Sequence, residues 1–174
     1  TTVTVTEDST TELTGVNASA LTLASAGAIT DSDDTTLAVT GLATFTNAGA
    51  GVITLGNHAD DETDFGSLDF SGTVVTITED SDVSIAASEA TGALGLSAAG
   101  DITQSGAITA ESTSSFTTTV DDSVITLANS ANVFTGAITL ASNDTDGDSA
   151  EDIDVTNSIA TILGGSATSG TLDV

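Results

Sequence analysis

Acidic side chains are the residues in this sequence whose type and spacing bear on chemistry. Residues 143–152, NDTDGDSAED, place Asp144, Asp146 and Asp148 at alternate positions around Gly147. Calcium takes roughly six to eight hard oxygen ligands at about 2.3–2.6 Å, and closely spaced aspartates in a turn can supply them. Asp144, Asp146 and Asp148 would give carboxylates and Ala150 a backbone carbonyl. Asp152 would close the site directly or through water. A solvated acidic turn is the plainer alternative. His58 stands in NHADDETD with Asp60, Asp61, Glu62 and Asp64. A histidine among acids can ligate a metal, although most such residues simply occupy a surface loop. Asp31, Asp33 and Asp34 form a similar acidic turn, and Asp121 with Asp122 a weaker one. Both are expected to face solvent.

The overall charge limits the partners. The 174 residues contain 26 acids, one histidine and no lysine or arginine. Nucleic acid is bound through cationic contacts to phosphate, which this chain cannot make. A polybasic membrane patch is excluded for the same reason. No apolar stretch approaches the roughly 20 residues a spanning helix needs, so membrane insertion is not expected. Cations are the natural partners. The absence of cysteine rules out a disulfide framework and most thiol or zinc chemistry. With neither an initiator methionine nor a signal-peptide pattern, the chain reads as a segment of something longer.

The elements that must position these acids are short strands in a repeat. TVTVTEDS at residues 2–9 returns as TVVTITEDS at 73–81, and LTLASAGAIT at 21–30 returns as LGLSAAGDIT at 94–103. Phe45 matches Phe116, and VITLGN at 52–57 matches VITLAN at 124–129. A third copy begins near Asp152. The organisation is therefore a first repeat over 1–72, a second over 73–151 and the start of a third over 152–174. Within each copy apolar residues alternate in short runs, as in Leu21/Leu23, Ile53/Leu55 and Val75/Ile77, separated by Gly, Asn, Asp and Ser. Period two means strand, and the branched Val, Ile and Thr suit a pleated surface. Roughly nine such strands per copy, three to a coil, predict a parallel β-solenoid. Its coils would hold about 24 residues, and seven of them at about 4.8 Å each would span ~35 Å. Tandem β-sandwich modules are the alternative.

Residues 96–140 resemble the repeats of filamentous-haemagglutinin-like bacterial surface proteins. The matching residues are Gly100, Ile102, Thr103, Ser105, Gly106, Phe116, Thr117, Ile125, Thr126, Leu127, Asn129, Phe134 and Gly136. The first copy matches more weakly, through residues such as Gly27, Ile29, Phe45, Ile53 and Asn57. This resemblance implies an all-β, right-handed parallel β-solenoid that is secreted to the cell surface and serves in adhesion, matrix or filaments. The loss of every Lys and Arg departs from that pattern. Residues 143–152 are in turn similar to the DxDGDG calcium loops of thrombospondin-type repeats, with Ser149 in place of the second glycine.

The sequence thus points to an extracellular structural segment of a surface filament, matrix fibre or adhesin, stabilised by calcium or other cations. A calcium-dependent adhesion module is the alternative. A third reading, ice binding, needs a regular Thr-x-Thr column that the coils do not maintain. Self-association end to end, or continuation in a longer chain, would cover the solenoid's open sheet edges. Catalysis is not expected. An acid pair alone lacks the aromatic sugar platform of a glycosidase, and the single histidine lies in a loop with no nucleophile turn beside it.

Overall fold

A computed structural model describes residues 1–49, 51–147, 151–168 and 170–174. Among these residues there is no helix, and every strand pairing is parallel. The molecule is a parallel β-solenoid. The sandwich alternative fails because its strands would meet antiparallel partners across hairpins.

The chain winds through three faces in order. Coil one holds β1 (Thr2–Glu7), β2 (Thr11–Leu13) and β3 (Val16–Ala18). Coil two holds β4 (Ala20–Ser25), β5 (Ile29–Asp31) and the first part of β6 (Thr36–Asn47). Coil three takes the rest of β6, β7 (Val52–Leu55) and the first part of β8 (Glu62–Gly72). Coil four takes the rest of β8, β9 (Val74–Glu79) and β10 (Val83–Ile85). Coil five holds β11 (Ser88–Ala90), β12 (Leu94–Ala98) and β13 (Ile102–Gln104). Coil six holds β14 (Ile108–Ala110), β15 (Ser114–Thr118) and β16 (Ile125–Leu127). Coil seven holds β17 (Val133–Phe134), β18 (Ala137–Ala141) and β19 (Ile153–Val155), and coil eight β20 (Ile162–Ala167) and β21 (Leu172–Asp173).

The second face is an 8-stranded sheet, one strand per coil, so there are eight coils rather than seven. Seven register steps carry Thr11 to Leu163 on this face. That is 152 residues, or about 22 per coil rather than 24. Individual steps vary from 17 residues (Leu68 to Ile85) to 28 (Ile125 to Ile153). The variation is taken up by loops, because the strands must keep register. The first and third faces merge into one 13-stranded sheet, since β6 and β8 run through the corner between them. Gly41 and Gly66 make that corner possible. A Cβ on Gly41 would lie 2.5 Å from the Ser19 carbonyl oxygen, and one on Gly66 would lie 2.4 Å from that of Thr40.

The interior is a set of stacked columns. On the second face Leu55, Ile77, Leu96, Phe116 and Leu140 lie one above another. All are 3% exposed or less. On the third face Ile102, Ile125 and Ile153 do the same. Each fully buried aliphatic or aromatic side chain contributes about 1.5–3 kcal/mol by leaving water. No single strand of three to six residues could hold that surface alone, so coil-on-coil stacking supplies the stability.

The long repeat does not match the coil. β1 to β8 make ten strand segments, because β6 and β8 each serve two faces, and β9 to β18 make ten more. Three coils use nine. Each copy therefore starts one face further round. Residues 2–9 begin on the first face with β1, and their equivalents at 73–81 begin on the second with β9. The third copy begins on the third face with β19. Phe45 and Phe116, equivalent in sequence, consequently lie in different sheets.

Candidate cation sites along one corner

At the corner between the second and third faces the chain leaves one sheet before it enters the next. Backbone N–H groups there lose their ladder partners and need other acceptors. Every positive-φ residue among the described residues lies at this corner: Gly15, Asp34, Gly56, Asp122 and Gly147. Aspartate and glycine are the residues that tolerate such turns. A Cβ on Gly56 would also fall 2.3 Å from the Thr78 carbonyl oxygen.

Turn chemistry thus gathers acids on one edge of the shaft, and their carboxylates stitch the coils together. Asp31 Oδ2 accepts the N–H of Gly56 at 2.7 Å, and Asp61 Oδ1 that of Thr35 at 3.0 Å. Asp80 Oδ2 accepts from Thr63 N at 2.8 Å and Glu79 Oε1 from Phe65 N at 2.8 Å. Farther along, Asp82 accepts from Asp101 N, Asp101 from Val124 N, Asp121 from Thr145 N and Asp152 from Thr171 N. Carboxylate acceptors make stronger bonds to N–H than neutral ones do. Many of the acids therefore serve the fold itself.

Among the described residues, two groups on this corner bring carboxylates close enough to share an ion. In the first, ligand atoms of Asp121, Asp144, Asp146 and Glu151 lie within 4.8 Å of one another. Asp144 and Asp146 are exposed, whereas Glu151 is fully buried. The Thr145 N–H holds the Asp121 carboxyl below its ordinary range, keeping it ionised. Of the residues marked by the DxDGDG-like spacing, the structure brings Asp144 and Asp146 into this group. Asp152 is turned away to the Thr171 N–H in the next coil, 2.6 Å away. Asp148 and Ala150 lie outside the described residues. Asp121 and Glu151 complete the group, and neither follows from the local spacing. The coil period does point to Asp121, which sits one coil before Thr145.

The second group is Asp31, His58 and Asp61, again within 4.8 Å. Asp31 and Asp61 are 5% and 8% exposed, so Asp31 does not face solvent as its acidic turn suggested. His58 and Asp33 line a surface cavity of about 430 Å³ with Asp34, Asn57, Ala59 and Asp60. The Thr rows are short: Thr4, Thr22 and Thr44 stack outward on the first face, and Asp69 takes the next position.

A family model described as repeats of unknown function (DUF5649) matches residues 1–74 and again residues 71–141. The two matches coincide with the first two sequence copies. Neither a curated protein nor a solved structure matches the chain.

Proposed function

The chain belongs to the family of repeats of unknown function (DUF5649), and from that premise we propose that it is a structural shaft segment of an extracellular bacterial surface filament, matrix fibre or adhesin. The strongest support is the continuous apolar core that runs from Leu21 to Val155 through the stacked coils, stitched along one edge by carboxylate-to-backbone bonds. Such a body resists bending and offers little distinctive surface. The resemblance to filamentous-haemagglutinin-like repeats supports the same assignment and with it secretion. Ile162 and Leu163 on the last coil are 56% and 47% exposed. They suit either end-to-end stacking or a following coil. Electron microscopy of the purified chain and of any longer protein containing it tests the proposal. Rods whose length grows by about 4.8 Å per coil are expected, and separate globular beads would overturn it.

Cations, calcium first among them, are part of this proposal. Twenty-six acids on eight coils, about 38 Å at ~4.8 Å each, give roughly one charge per 1.5 Å, close to the one per ~1.7 Å of B-DNA. The group of Asp121, Asp144, Asp146 and Glu151 supplies hard oxygens of the kind calcium takes. Millimolar calcium is expected to raise the melting temperature, and Asp144→Asn with Asp146→Asn to abolish most of the rise. An unchanged melting curve after exhaustive chelation in dilute buffer would remove calcium from the proposal and leave the shaft. A calcium-dependent adhesion module is the second reading, favoured by the exposure of Asp144 and Asp146. Calcium-dependent clustering of beads carrying the chain distinguishes it from a passive shaft.

A further inference from the structure

We propose that Asp31, His58 and Asp61 form a binding site for a borderline divalent transition metal, such as Zn²⁺, separate from the calcium group. The starting point is Asp31. Its carboxylate is almost wholly buried, and only Oδ2 is used, by the Gly56 N–H. Oδ1 is buried with no hydrogen-bond partner. A buried carboxylate oxygen left unpaired is costly. Asp61, also buried, brings a second carboxylate beside it. The chain has no lysine or arginine, so among side chains only His58 can bring a positive charge to this pair. A bound cation would satisfy Asp31 Oδ1 and relieve the repulsion between the two acids.

The donor set indicates the class of cation. An imidazole nitrogen with two carboxylates suits zinc and its neighbours better than calcium, which prefers a shell made wholly of oxygen. His58 is already oriented for it. Nε2 lies 2.8 Å from Asp33 Oδ1, and Nδ1 lies 3.2 Å from Asp61 Oδ2. With Nε2–H donating to Asp33, the Nδ1 lone pair is directed toward the Asp61 side. This is the arrangement in which an outer carboxylate fixes the tautomer of a metal-bound histidine. Asp61 is held in turn by the N–H groups of Thr35 and His58 at 3.0 and 2.9 Å. Three protein ligands leave a fourth position open to water on the side of the surface cavity.

The test is calorimetric titration of the 174-residue chain with ZnCl₂, and with CoCl₂ monitored by visible absorption. One ion per chain is expected, with a Co²⁺ spectrum perturbed from that of the hydrated ion. His58→Ala and Asp31→Asn should each weaken binding at least tenfold. Asp144→Asn with Asp146→Asn should leave it unchanged, which separates this site from the calcium group. The His58 side chain is 38% exposed, so its removal should leave the fold intact, and circular dichroism checks this. If Asp31→Asn fails to fold, His58→Ala alone decides. Equal zinc affinity in the wild type and His58→Ala, or no stoichiometric binding by the wild type, would overturn the proposal.

Discussion

Asp82 and Asp101 occupy the same corner in consecutive coils, and the carboxylate of the first accepts the backbone N–H of the second at 2.9 Å. Asp101 passes the relationship on, accepting the Val124 N–H at 2.9 Å. Replacing Asp101 with Ala leaves that N–H without its acceptor and is expected to cost about 1–2 kcal/mol. Asp101→Asn keeps an acceptor oxygen and should cost less. Urea unfolding of the two variants measures the difference, and equal losses would show that the acid acts only through its charge.

Glu79 ends β9 pointing inward, 1% exposed. Burial pushes its carboxyl up to about 9; the Phe65 N–H opposes this, and the charges of Asp64 and Asp80 reinforce it. The folded state therefore holds a proton that the unfolded chain gives up near the ordinary value of 4.5. The linked stability is fully present below that value and declines as pH rises toward about 9. Glu79→Gln mimics the protonated form. It should flatten this decline and be more stable than the wild type at alkaline pH by at least ~1 kcal/mol. Parallel melting curves of the two proteins across the range would refute the assignment.

Phe116 stacks between Leu96 and Leu140, with its ring edge-on to Phe134 at 5.8 Å between centroids. Phe116→Ala opens a cavity that two sheets cannot close and should cost about 3–5 kcal/mol. Val5→Ala, at a position 39% exposed on the first coil, serves as the control and should stay within ~0.5 kcal/mol. Denaturant midpoints of both variants provide the comparison.

At Gly66 the nearest obstacle to a side chain is backbone, the Thr40 carbonyl, so no rotamer can relieve the clash. Gly66→Ala is expected to destabilise by about 1–3 kcal/mol. Gly165 has nothing within 4 Å of an added Cβ. Gly165→Ala should be neutral or slightly stabilising, because it restricts the unfolded chain. Thermal melts of the pair test whether close coil approach, rather than glycine itself, is what the corner requires.

The solenoid was legible because Leu21/Leu23 and Val75/Ile77 alternate with period two, and their return in sequence implies stacking. Three strands per coil followed from the strand spacing. The strand spacing gives too few coils, since β6 and β8 each run across a corner and serve two faces, so that a copy holds ten strand segments rather than nine. The acidic corner was hidden because its members are one coil apart, a variable 17–28 residues, and local spacing cannot reveal them. Asp144 and Asp146 were visible as a pair, whereas Asp121 and Glu151 join them only through the winding. The same holds for Asp31 and His58. They read as two separate surface turns, yet the Asp31 carboxylate is buried against the next coil.

The one-face advance of each repeat bears on any protein that strings many of these copies together. An equivalent residue moves about 16 Å along the axis and a third of a revolution per copy, returning to its first bearing after three copies, ~48 Å on. Whatever a copy displays would then be presented by turns to every side of the rod, so a neighbour approaching from any direction would meet the same feature at regular intervals.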